Sequence, residues 1–70
     1  MKLIKQFDLI GIDVIIKVHH DINMNPETYI ISVYLKNDFI EDSTVKNIKF
    51  LNSRIQEVTS KWLNIVHLLR

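Results

Sequence analysis

His19-His20-Asp21 is the tripeptide in this chain with the most chemical potential. Imidazole titrates near neutral pH and is the commonest metal ligand. On a strand, however, adjacent side chains point to opposite faces, so these two rings could not share one metal in ordinary geometry. A third ligand would have to come from Asp13, Asp21 or His67, and nothing in the spacing brings those together. The pair reads as strand-end histidines beside a solvated loop. Asp13, Asp21, Glu27, Asp38, Glu41 and Asp42 supply carboxylates, but no two sit at a spacing that specifies acid–base work. Ser32, His19 and Asp13 contain the residue types of a nucleophile set, as nearly any chain does. Gly11 is the sole glycine, which excludes a glycine-rich phosphate loop. One sheet in a 70-residue domain also leaves little room for a pocket of ~300 Å³. The expectation is a non-enzyme with no metal and no cofactor.

Cations and aromatics offer binding chemistry instead. Residues 43–70 carry five Lys or Arg against Glu57, a balance of +4, whereas residues 1–42 carry four lysines against seven acids, or −3. Lys46, Lys49, Arg54 and Lys61 would share the polar arc of a C-terminal helix and could contact phosphates. They are spread over sixteen residues and not interleaved with aromatics as a base-stacking platform requires. A solvated helix face is the plainer reading, with nucleic acid as the alternative partner. Trp62, in the middle of the apolar helix stripe, is either core packing or an interface anchor.

The elements that position these residues follow from periodicity. Ile12, Val14, Ile16 and Val18 alternate with Asp13, Ile15, Lys17 and His19. Tyr29, Ile31, Val33 and Leu35 alternate with Ile30, Ser32, Tyr34 and Lys36. A period of two puts one face of each strand on a core. Between them, residues 20–28 hold Asp, Asn and Pro26, which keeps Asn25 out of the helical region, so an antiparallel hairpin with a long loop is expected. Residues 2–10 read in two ways. As a strand they change phase near Gly11; as a helix they put Leu3, Ile4, Phe7 and Ile10 on one face with Gly11 just past the end. Direct continuation into Ile12–Val18 favours the strand. Ile48, Leu51, Ile55, Val58, Trp62, Ile65 and Leu69 alternate spacings of three and four, which predicts a helix from about Asp42 to Leu69, some 42 Å long. Helix starts are offered by Asp38 with Glu41 and by Asp42 and Ser43, and Ser53 with Gln56 could begin a second segment if the helix breaks. The predicted fold is α+β, a small antiparallel sheet of two to three strands packed on one long C-terminal amphipathic helix, in a single domain over residues 1–70.

That helix would be longer than an eight-residue strand of roughly 27 Å and would overhang the sheet. Its stripe is also wide: adding Val45, Leu63 and Val66 gives an arc of about 160°, where one sheet needs little more than about 100°. A second copy of the chain is the simplest cover for the excess, so a homodimer is expected. A domain this short gains only ~3–5 kcal/mol from its own core, which points the same way. Ile15, Ile30 and Tyr34 point away from the core on adjacent strands and form a second apolar patch. Unpaired edge strands are a further place for a partner to add.

No apolar run approaches the ~18 residues of a membrane span, Lys5 interrupts any signal-peptide core, and cysteine is absent, so a cytoplasmic, disulfide-free protein is expected. Twelve isoleucines, seven lysines and six asparagines without one alanine suggest AT-rich coding, as in phage or plasmid genes of low-GC bacteria. Small proteins of that origin often inhibit host enzymes stoichiometrically, anti-defence proteins among them. The expected function is therefore a protein-binding inhibitor acting by steric occlusion, with Ile15, Ile30, Tyr34, Leu63 and Val66 as partner contacts. The alternative is a small dimeric nucleic-acid-binding or regulatory protein using the basic helix face.

Overall fold

A computed structural model describes residues 1–9, 11–24 and 27–69. Ile10, the Asn25-Pro26 step and the side chain of Leu69, all used in the sequence argument, lie outside the described residues. The described residues form four strands and one helix: β1 (Lys2–Leu9), β2 (Val14–Asp21), β3 (Thr28–Leu35), β4 (Asp38–Val45), a 3₁₀ turn (Ile48–Phe50) and α1 (Leu51–Leu69). The sheet is an antiparallel meander in the order β1-β2-β3-β4, with α1 across one face. The architecture is α+β, with one strand more than the alternation of the sequence indicates.

β-Branched side chains fill the middle of the sheet because they pack well on a pleated surface. Val14, Ile16 and Val18 of β2 and Ile31 and Val33 of β3 point inward and are almost fully buried. Leu51, Ile55 and Trp62 close the core from the helix, and Val58, Ile65 and Val66 pack around them. The β1–β2 connection needs positive φ at Gly11 (87°) and Asp13 (58°), and the Ile12 N–H donates to the Leu9 carbonyl over 3.2 Å. The phase change foreseen at Gly11 is this turn, so residues 2–9 are strand and not helix. Lys36 (φ 51°) and Asn37 (φ 71°) make a two-residue turn between β3 and β4. The loop after β2 opens with an Asx turn, the Asn23 N–H donating to Asp21 Oδ1 over 3.1 Å.

The helix begins at Leu51 and not near Asp42. Residues 38–45, read as its first turns, are the edge strand β4. The reason lies on β4's inward positions, Glu41, Ser43 and Val45, which pair with Val33, Ile31 and Tyr29 and include one apolar side chain. Polar Glu41 and Ser43 erase the alternation that marks a strand, while Val45 and Ile48 fall at helical spacing from Leu51 by coincidence. Ile48 is 64% exposed and belongs to no stripe. Asn47 caps the 3₁₀ turn, its Oδ1 accepting the Lys49 N–H at 3.0 Å.

Two expectations change. Nineteen helical residues run about 28 Å, matching an eight-residue strand at roughly 27 Å, so no overhang arises. Leu63, at the helical angle that Val45 would have held, is exposed, and the apolar residues packed on the sheet, from Ile65 round to Val66, span about 100° at 100° per residue. One sheet face covers that arc. Among the described apolar side chains of α1, exposed Leu63 and Leu68 lie off it.

Candidate docking surface

The four strands place three rows of side chains on the face opposite α1. Ile15 pairs with Asp8 on one side and Tyr34 on the other, and Tyr34 pairs with Phe39. Lys17 lies between Gln6 and Ser32, with Asp42 beyond. His19 lies between Leu3 and Ile30, with Thr44 beyond. The predicted trio Ile15, Ile30 and Tyr34 therefore does share one surface, and each member is half-buried by its strand neighbours alone. Leu3 (45% exposed) and Phe39 (53%) extend it to both edge strands.

Local contacts flatten this surface. The Tyr34 and Phe39 rings meet at 5.8 Å with a 58° tilt. The Lys17 ammonium lies 4.9 Å from the Tyr34 ring centroid, a cation–π contact that lays the long side chain along the sheet. The result is a two-ring apolar strip beside a cation, with Asp42 at the β4 edge and Asp8 at the β1 edge. Phe39 was invisible to the sequence reading because β4 was not recognised. Two alternating positions after the Lys36-Asn37 turn would have found it. Leu3 was missed because Ile4 is an extra residue in β1: Leu3 pairs with His19 but Lys5 with Val18, so the bulge resets the inside–outside phase.

Leu63 and Val66 do not join this surface. Val66 packs against the core beneath α1, and both residues line a recess of about 180 Å³ with Ile12 and His67, on the other side of the sheet. The five residues predicted as partner contacts thus divide into an outer-face trio and a helix-side pair.

The four cations do not converge either. Lys46 follows β4 and Lys49 sits in the 3₁₀ turn, so neither belongs to a basic helix face. Arg54 lies 3.5 Å from Glu57, and Lys61 donates to Glu41 at 2.8 Å. Glu41 also accepts the Trp62 indole N–H at 2.8 Å. The Lys61 and Trp62 hydrogen bonds hold the Glu41 carboxyl below the ordinary carboxylate range, against a smaller opposing effect of burial. Glu41, Arg54 and Lys61 border a cleft of about 190 Å³ between α1 and β4, floored by Ile31, Val33 and Val58.

His19 and His20 face opposite sides, as their strand positions require. His19 is on the outer face, while His20 stacks on Tyr29 (4.5 Å, 6°) and its Nε2 lies 2.9 Å from Glu27 Oε2. Among the described residues no group of three or more His, Asp or Glu is placed to hold a metal ion. Among the described residues no helix is long and apolar enough to cross a membrane. Comparison with protein-family models, with curated proteins and with solved structures finds no match to this chain.

Proposed function

We propose that this chain is a non-catalytic protein-binding module that docks through its outer sheet face and inhibits a protein partner by covering that partner's working surface. The observation that supports this reading is the strip of Ile15, Tyr34 and Phe39, continued by Ile30 and Leu3, on a face that no described element of the chain covers. Aromatic and aliphatic anchors of this kind carry most of the energy at protein interfaces. The composition suits a phage or plasmid product, for which stoichiometric occlusion needs no active site.

Affinity capture tests this reading, with the immobilised chain used against lysate of its native host. The expected result is a retained protein that survives high salt and is lost with Tyr34→Ala, while Lys46→Glu combined with Arg54→Glu leaves it bound. Recovery of nucleic acid that elutes with rising salt and is lost with the charge reversals would overturn the proposal, because phosphate contacts weaken steeply with salt whereas apolar docking does not.

A further inference from the structure

We infer that the outer sheet face also binds a second copy of this chain, the two sheets stacking face to face about a two-fold axis that runs parallel to the strands. This rests on the docking role proposed for that face and names one occupant of it. The argument comes from the charge pattern. A two-fold axis across the strands, through the central row, would set each strand over its own copy, placing Lys17 against Lys17 and Asp42 against Asp42. An axis along the strands, between β2 and β3, exchanges β1 with β4 and β2 with β3 while keeping the rows. Ile15 then faces the second Tyr34, and His19 the second Ile30. Lys17 faces the second Ser32, whose β4 neighbour is Asp42. No like charges oppose each other in that arrangement. Lys17 already lies flat on Tyr34, so the face can take a flat partner without lifting a charged side chain out of the way.

Two further observations favour face over edge. Both edge strands carry a bulge, with Ile4 the extra residue in β1 and Ile40 the extra residue in β4. Bulges twist an edge away from the straight template that strand addition needs. The face itself has room: four eight-residue strands present about 500 Å² per copy, so a stacked pair buries roughly 1,000 Å², the lower limit for a specific interface. An interface of that size makes a concentration-dependent dimer and leaves the face open to competition from a tighter partner.

Light scattering on the full chain, from low micromolar to near millimolar, tests the inference. The apparent mass is expected to rise from 8.3 kDa toward twice that value. Lys17→Asp sets a carboxylate near the second copy's Asp42 and should weaken association about tenfold. Lys17→Asp together with Asp42→Lys restores opposite charges across the axis and should restore the dimer, which a general loss of folding would not do. A monomeric mass throughout the range, or a dimer indifferent to Lys17→Asp, overturns the inference. If the mass stays monomeric while Tyr34→Ala still abolishes capture of another protein, self-association falls and the docking role stands.

Discussion

Glu41 holds the helix to the edge of the sheet, and removing it separates two contributions that share one carboxylate. The Lys61 side chain is 52% exposed and that of Glu41 37%, so their ion pair is screened by water and contributes at most about 1 kcal/mol. The Trp62 indole is different. Trp62 is only 8% exposed, and Glu41 Oε1 accepts its N–H. A buried donor left without an acceptor costs ~1–3 kcal/mol. Glu41→Ala should therefore destabilise by about 2 kcal/mol, a large share of the ~3–5 kcal/mol available to a domain of this size. Glu41→Gln keeps an acceptor for the indole, and Lys61→Met leaves Glu41 in place, so each should cost under about 1 kcal/mol. Trp62 is the chain's one tryptophan, so its emission during urea unfolding reports the transition directly. pH supplies a second axis. Because the Glu41 carboxyl is held below its ordinary range when folded, its charge stabilises the fold above that range, and the benefit is lost as pH falls through the lowered value. The gap between wild type and Glu41→Gln should be level at neutral pH and close in acid. Should Lys61→Met cost as much as Glu41→Ala, the exposed ion pair would dominate and the reasoning about the buried indole would be refuted.

Ile16 is 0% exposed at the centre of the sheet, and Ile16→Ala should cost ~2–5 kcal/mol, enough to leave much of the chain unfolded at 25 °C by circular dichroism. Lys36 and Asn37 both hold positive φ, so Lys36→Asn with Asn37→Gly should raise the urea midpoint by an amount equivalent to about 1 kcal/mol; a lower midpoint would show that the turn is not strained. His20 stacks on Tyr29 whereas His19 lies on the outer face, so His20→Ala should cost about 1 kcal/mol more than His19→Ala in the same unfolding assay, and equal costs would discount the stack.

The central hairpin could be read from sequence because its two faces differ in kind. Val14, Ile16 and Val18 alternate with Ile15, Lys17 and His19, and Ile31 and Val33 alternate with Ile30, Ser32 and Tyr34; the structure buries the first set of each strand. That alternation also places Ile15, Ile30 and Tyr34 on a common outer face. β4 was hidden because its inner positions are filled by Glu41, made acceptable there by Lys61 and Trp62 from α1. A partner twenty residues away is not visible in a local pattern. The same error lengthened the helix and lent it Lys46 and Lys49, which made its basic face look continuous, while the apolar stripe looked too wide because it included Leu63, which the structure leaves exposed. Val66 was assigned with Leu63 to a free flank, yet it packs against the core and Leu63 is the exposed one of the two.

The order β1-β2-β3-β4-α1 has a consequence for synthesis on the ribosome. Each strand pairs with the one made just before it, so the hairpins can zip locally as they leave the exit tunnel. The lid arrives after the strands it covers. Until Leu51, Ile55 and Trp62 emerge, the nascent sheet shows water Val14, Ile16, Ile31 and Val33 on one side and Ile15, Ile30 and Tyr34 on the other. For that interval the polypeptide is greasy on both surfaces and open to chaperones and neighbouring nascent chains.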